Sequence, residues 1–271
     1  PALPVAGSFR SIDFALSSMS NSHIQTVAVL TQYNARSLNE HLSSSKWWNF
    51  GRKQGGLFLF TPTVTADNSD WYRGTADAMY QNIDFLKRRH EPYVIISSGD
   101  CVYKLDFNRV LDFHIEKKSD ITVVCKDMMY NDDVSRFGVV RMDDESRITE
   151  FDEKPIEASS NTISTGIYVI RRRQLIELLE AAAEENRFDF VNDILVRYKN
   201  VKKIYGYKIN SYWNNIADID AYFKTNMDFL RPDVRSYFFR EEPTICSKVD
   251  DLPPAKFNPV SYTHLTLPTI A

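Results

Sequence analysis

Tyr93-Val94-Ile95-Ile96-Ser97-Ser98-Gly99-Asp100 decides the fold. Four bulky apolar residues run without a break into small residues and then an acid. An apolar run of this length with no polar alternation reads as a strand covered on both faces. Upstream, Gly74 to His90 places Ala76, Met79, Tyr80, Ile83 and Leu86 at helical spacing, which predicts one amphipathic helix. Before that, Thr26 to Leu30 (TVAVL) predicts a buried strand, and Ser37 to Leu42 starts a short helix. Downstream, Phe107, Val110, Leu111 and His114 mark a helix, and Ile121 to Cys125 (ITVVC) another strand. Strands alternating with helices imply βαβ units, an α/β class and a largely parallel, Rossmann-like sheet.

The rhythm then changes. Phe137 to Met142 and Arg147 to Phe151 flank the turn-like Asp143-Asp144-Glu145-Ser146 and predict an inserted β-hairpin. Thr165 to Ile170 returns to a buried strand. A helix follows with Leu175, Ile176, Leu179, Ala182 and Ala183 on one face. Asp189 to Tyr198 predicts a second helix, Ile204 to Ile209 a strand, and Ile219 to Leu230 the last helix of the domain. No internal repeat and no low-complexity linker interrupts the chain.

Composition excludes some classes. The 271 residues are 43% hydrophobic and 25% charged, with net charge −3 and acids and bases interspersed. A nucleic-acid surface needs a clustered basic face, so nucleic acid is not an expected partner. No apolar run approaches the roughly 20 residues that span a bilayer, and no charged-then-apolar leader opens the chain, so no membrane association is expected. Cys101, Cys125 and Cys246 are odd in number and widely spaced. They form no disulfide framework and no zinc pattern, as expected in a reducing cytoplasm.

In open α/β sheets, ligands bind outside the carboxyl ends of the strands. Asp100 stands at such an end, and Gly99 permits close backbone approach. An acid there suits Mg²⁺, a hard ion that prefers oxygen. It equally suits an N-cap, since a helix follows a few residues later.

Ordered motifs over residues 1 to 256 break that tie. Pro1 to Phe14 (PALPVAGSFRSIDF) resembles the KPAVPFGGxYRLIDF segment of the glucose-1-phosphate adenylyltransferase family. Asn21-Ser22, Val29 to Tyr33 (VLTQY) and Ser37 to His41 (SLNEH) resemble its next motifs, and Trp71 to Ala78 (WYRGTADA) matches almost letter for letter. Gly99 to Asp106 (GDCVYKLD), Ser135 to Gly138 (SRFG), Glu150 to Pro155 (EFDEKP) and Ser164 to Tyr168 (STGIY) complete the set. The resemblance implies a nucleotidyltransferase domain of glycosyltransferase-A-like fold. It implies adenylyl transfer from ATP to glucose 1-phosphate with Mg²⁺, making ADP-glucose for glycogen synthesis. Asp100 would hold the metal, Lys154 the sugar phosphate, and Glu153, Ser164 and Asp189 the glucose. Gln32, Gly74 and Thr75 would lie around the nucleotide. The bland alternatives are a solvated strand end for Glu153-Lys154-Pro155 and a helix cap for Asp189.

Three departures from the family pattern shape the functional expectation. The glycine-rich phosphate loop, GGxGxRL, and the lysine of the first motif are expected just before Pro1 and are absent from the sequence. The family's WRDVGT segment carries a second metal carboxylate, and the matching Trp213-Asn214-Asn215-Ile216-Ala217 puts Asn215 in its place. Asp218, three residues on at a helix start, is expected to point elsewhere. A family histidine becomes Cys101, and DFGKD becomes Asp189-Phe190-Val191-Asn192-Asp193, which removes a cation at Asn192. These losses resemble the non-catalytic, GlgD-type partner subunit, which forms a hetero-oligomer with a catalytic subunit. A catalytically active subunit with a rearranged metal site and a non-catalytic sugar-phosphate sensor are the alternatives. The expected organisation is a nucleotidyltransferase domain over 1–232 and a linker over 233–257 toward a left-handed β-helix domain that the chain lacks. A tail over 258–271, resembling translated adaptor sequence, carries no expected function.

Overall fold

One ten-residue strand, Thr162–Arg171, organises the sheet. The computed structural model describes residues 1–33, 35–51, 55–63, 71–129 and 132–249. Residues 250–257 of the expected linker and the whole of the expected tail lie outside the described residues. In chain order, a short pair β1 (Pro4–Val5) and β2 (Phe9–Arg10) leads into α1 (Ser11–Asn21), β3 (Thr26–Leu30), α2 (Ala35–Leu42) and β4 (Gly56–Phe60). Then come α3 (Thr75–Gln81), α4 (Ile83–Lys87), β5 (Tyr93–Ser97), β6 (Cys101–Tyr103), α5 (Phe107–Glu116) and β7 (Ile121–Asp127). The hairpin is β8 (Gly138–Met142) and β9 (Ile148–Glu153), followed by β10 (Thr162–Arg171), α6 (Arg172–Glu184), a π-wound turn at Val191–Val196, β11 (Ile204–Lys208), β12 (Trp213–Asn215), α7 (Ile219–Asp228) and α8 (Pro232–Phe239).

β10 pairs antiparallel with β7 along one edge. Its other edge meets β8 at Ile163 and β5 from Ile167 to Arg171. β11 pairs parallel with β7. Strands β5, β7 and β11 therefore point the same way, as the strand–helix alternation predicts, and β10 runs against them in a mixed sheet. The hairpin is the cause: it turns the chain round, so β10 enters from the opposite end. β3 and β4 form a separate parallel pair.

Side chains alternate across β10 with period two. Ile163, Ile167 and Val169 face α1 and α5 through Ala15, Phe107 and Val110. Tyr168 and Ile170 face α3 and α6 through Ala76, Leu175, Leu178 and Leu179. The sheet is thus the middle layer of an α/β/α sandwich. Burial of an aliphatic side chain contributes about 1.5–3 kcal/mol, so these two faces carry much of the stability.

Three sequence expectations are corrected. The helix predicted over 74–90 breaks in two at Asn82, whose Nδ2 donates to Ala78 O (2.9 Å) and to the Tyr72 hydroxyl (3.0 Å). A side chain that bonds back to the preceding turn competes with the helix ladder. The helix predicted over 189–198 has a π-wound core, because two carboxylates fix its start. Asp193 Oδ2 accepts from the backbone N–H of Phe188 (3.0 Å) and Asp189 (2.9 Å), and Asp189 Oδ1 accepts from Asn192 N–H (2.7 Å). The helix expected to close the domain is followed by α8, with Pro232 at its first turn. Val234 and Phe238 bury against Phe14 and Phe229, and the Phe14 and Phe238 rings meet edge-on at 5.3 Å.

Beyond α8 the chain crosses α1. Cys246 N–H donates to Ser17 Oγ (2.9 Å), Asn21 Nδ2 to Thr244 O (3.0 Å), and the Ser247 hydroxyl to Asp13 Oδ2 (2.6 Å). Asp13 is wholly buried, closes the first turn of α1 by accepting from Arg10 N–H (2.8 Å), and lies 2.6 Å from His41 Nε2. On the outer face of α7 and the turn that follows it, Ile219, Phe223, Met227 and Leu230 are 84, 64, 46 and 63% exposed.

Candidate active site

The site begins where β5 ends. Ser98-Gly99-Asp100 is a tight turn between β5 and β6, held from three sides. Ser98 N–H donates to Gly166 O (3.1 Å), and Ile216 N–H to Asp100 O (2.9 Å). The Ser11 hydroxyl reaches Gly99 O at 3.0 Å. Gly166 is the bulge of β10, between Ser164 and Tyr168, with φ of 74°, a conformation that favours glycine. The Ser98 hydroxyl bonds Asp100 Oδ1, and Cys101 Sγ lies 3.5 Å from the same oxygen. Asp100 is not a helix cap: α5 is capped by Asp106, which accepts from Asn108 N–H (3.0 Å).

β6 pairs antiparallel with β12, and the register sets Asn215 opposite Cys101, next to Asp100. The structure therefore brings together the two positions singled out for the metal. Their chemistry differs. Asn215 Oδ1 accepts from Ala217 N–H (2.9 Å), and Nδ2 points to Cys101 Sγ (3.5 Å). The amide oxygen is turned onto its own backbone, and the charge of a second carboxylate is missing. Asp218 caps α7 by accepting from Ala221 N–H (2.7 Å) and is ion-paired with Arg136, so it does not replace that charge. Burial pushes the Cys101 thiol well above its ordinary pKa, with Asp100 adding to the effect, so the sulfur stays protonated. Among the described residues no cluster of three or more His, Cys, Asp or Glu side chains is built to hold a metal. Asp100 alone fits a divalent cation whose other ligands come from phosphate and water, a common arrangement for Mg²⁺.

A second group gathers along the same bulge. Ser164, on β10, places Oγ 3.3 Å from the Tyr168 hydroxyl. Burial holds the Tyr168 phenol neutral, and the Glu153 and Asp189 charges nearby raise its pKa further. Glu153 ends β9 with its side chain mostly turned inward. Its pKa is raised first by burial, against the pull of Lys154 and with a push from Asp189. Lys154 follows with φ of 51°, its ammonium 3.8 Å from Glu153 Oε1 and its side chain 67% exposed. Carboxylates and hydroxyls in one neighbourhood, beside an exposed ammonium, suit a polyol phosphate. At this strand end the Lys154 side chain is exposed and the Glu153 side chain is mostly covered. Asp189 caps its turn as the bland reading expects, and its charge also reaches Glu153 and Tyr168.

The third group ties the segment that carries Asp189 to α3. Gly74 opens α3, and a Cβ there would lie 2.3 Å from Phe188 O. Only glycine allows that approach, which lets Ala76 N–H donate to Phe188 O (2.8 Å). Phe190 N–H donates to Thr75 Oγ (2.9 Å). Asp189 is thus clamped between two residues anchored on α3. Gln32 Nε2 donates to Tyr72 O (3.3 Å), while its buried Oε1 has no hydrogen-bond partner among the described residues. An unpaired buried acceptor is costly and suits a ligand N–H or O–H. Sequence reasoning assigned no role to Ser98, Tyr168 or Ser11. Ser98 stands in the strand-end stretch quoted first, Tyr168 in the Ser164 to Tyr168 motif, and Ser11 in the Pro1 to Phe14 motif, where it replaces a leucine.

An α/β/α sandwich with an acid at a strand end is a fold that suits nucleotides, and the chain belongs to the nucleotidyl transferase family, whose model matches residues 1–231. Among its relatives it is similar to the glucose-1-phosphate adenylyltransferases. It is 39% identical to that of Clostridium novyi over 233 residues, which cover 85% of this chain and 61% of the relative. It is 40% identical to that of Clostridium acetobutylicum over 233 residues, again 85% and 61%. It is 37% identical to that of Lachnospira eligens over 257 residues, 94% of this chain and 60% of the relative. The chain thus spans less than two thirds of the length of the curated relatives it matches. No helix among the described residues is long and apolar enough to cross a membrane.

Proposed function

We propose that this chain is the nucleotidyltransferase part of a cytoplasmic subunit of ADP-glucose synthesis that binds glucose 1-phosphate, turns it over weakly alone, and works in a hetero-oligomer with a catalytic subunit. The observation that carries the reading is Asn215, set beside Asp100 by β12 with its oxygen bonded to Ala217 N–H. In the reaction, an oxygen of the sugar phosphate bonds to the α-phosphorus of ATP as the bond from that phosphorus to pyrophosphate breaks. Lys154 would donate to the sugar phosphate. Glu153, Ser164 and Asp189 would hold the glucose hydroxyls, and Gln32, Gly74 and Thr75 would border the nucleotide. Asp100 would hold Mg²⁺ together with the ATP phosphates, and the ion would supply charge neutralisation there. Positioning and charge neutralisation are the whole of the protein's task in such a transfer, so one missing charge matters.

The outer face of α7 supports the assembly. Ile219, Phe223, Met227 and Leu230 form an apolar stripe of the kind that another polypeptide covers. The sugar-phosphate sensor is a second reading, supported by the presence of Glu153, Lys154 and Ser164 beside the uncharged Asn215. Co-expression with an active glucose-1-phosphate adenylyltransferase tests the proposal. Co-elution of the two chains and a changed ADP-glucose rate are expected. Separate elution, with the partner's rate unchanged, refutes the partner role.

A further inference from the structure

Ser11 is the first residue of α1 and is wholly buried. Its hydroxyl lies 3.0 Å from Gly99 O and 2.9 Å from Pro1 O, so one hydrogen serves two carbonyls. Of the three anchors on the Ser98-Gly99-Asp100 turn, those from Gly166 and Ile216 are backbone groups that persist whatever the side chains. The anchor from α1 is a side chain. It acts at the residue immediately before Asp100, in a helix start fixed on its other side by the buried Asp13 and its bonds to Arg10, His41 and Ser247. The motif that this segment resembles has leucine where Ser11 stands. A leucine would offer no donor to Gly99 O, which is only part-buried, so the turn would lose its one side-chain anchor from α1.

We propose that Ser11 is a positioning residue for Asp100: its hydrogen bond to Gly99 O sets the turn from which the Asp100 carboxylate is aimed. This rests on the reading of Asp100 as the metal-holding group. The hydroxyl does not touch the ligand, so its loss lowers affinity for a cation at Asp100 while leaving the sugar side, on β9 and β10, as it was.

The test uses the full chain, Mn²⁺ in place of Mg²⁺ with ATP present, and water-proton relaxation as the readout of bound Mn²⁺. Glucose 1-phosphate binding is measured in parallel by calorimetry. Ser11→Ala is expected to weaken Mn²⁺ binding by roughly three- to tenfold, the worth of one hydrogen bond, with glucose 1-phosphate affinity unchanged. Ser11→Thr, which keeps the hydroxyl, is expected to restore Mn²⁺ binding. Asp100→Asn is expected to abolish it. Loss of both ligands in Ser11→Ala overturns the proposal, because the hydroxyl then serves the fold at large. Parental Mn²⁺ affinity in Ser11→Ala, with loss in Asp100→Asn, overturns the proposal alone. Parental affinity in Asp100→Asn overturns the metal reading and the proposal with it.

Discussion

Gly74→Ala adds one methyl group where α3 meets the segment that carries Asp189. The new Cβ would stand 2.3 Å from Phe188 O and 2.8 Å from its carbonyl carbon, both backbone atoms with no rotamer to retreat into. Reaching ordinary contact moves the Phe188–Phe190 backbone by about 1 Å, enough overpacking to cost roughly 1–3 kcal/mol. That shift stretches Ala76 N–H to Phe188 O (2.8 Å) and Phe190 N–H to Thr75 Oγ (2.9 Å). Weakening these bonds adds about 1 kcal/mol, for a total of about 2–4 kcal/mol. Since 1 kcal/mol moves Tm by about 2–4 °C in a domain of this size, the variant is expected to melt roughly 5–15 °C lower. Urea denaturation followed by tryptophan fluorescence should show a lower midpoint at unchanged slope. Glucose 1-phosphate affinity should fall with it, because Asp189 moves with the segment. A variant within about 0.5 kcal/mol of the parent, with the parent's affinity, would refute the clamp.

Two further expectations follow from single side chains. Lys154→Ala should cost roughly ten- to a hundredfold in glucose 1-phosphate affinity by calorimetry, since a charge-assisted bond to phosphate is lost; equal affinity would place the phosphate elsewhere. His114 is buried with Nδ1 2.8 Å from Thr122 Oγ, and burial, then Arg171, lowers its pKa to about 4 against the opposing charge of Asp120. The unfolded chain takes that proton near 6.5, so stability is full above that pH and falls toward pH 4, by about 3 kcal/mol at most. Denaturation midpoints across this window should fall less steeply in His114→Gln, and an unchanged slope would contradict the assignment.

Much of this was legible because apolar pattern and fold agree. Tyr93 to Ile96 and Ile121 to Cys125 are strands where the runs predict them, and the turn at Asp143 to Ser146 is closed by Asp143 Oδ1, which accepts from Glu145 and Arg147 N–H. The direction of β10 was not legible, since a fully buried strand looks the same running either way. Nor was the break at Asn82 or the π-wound turn at Val191–Val196, where single polar side chains outweigh helical periodicity. At the candidate site, the family resemblance singled out Asp100, Glu153, Ser164 and Asp189. Helping groups such as Ser98 and Tyr168 show their part only once β5 and β10 pair. The orientation of the Asn215 amide depends on the β6–β12 register, which the sequence alone leaves open.

The central claim is that the single carboxylate beside Asn215 limits chemistry. It is tested most directly by pyrophosphate release from the full-length protein, without any partner subunit, at saturating Mg²⁺, ATP and glucose 1-phosphate. Losing one electrostatic contact of this kind typically costs about 3–4 kcal/mol of barrier, or roughly 10²–10³ in rate. The account predicts poor turnover by the unmodified protein and a rise in Asn215→Asp, partial because Asn192 still lacks the family's cation. Robust turnover by the unmodified protein, with no gain in Asn215→Asp, would contradict it.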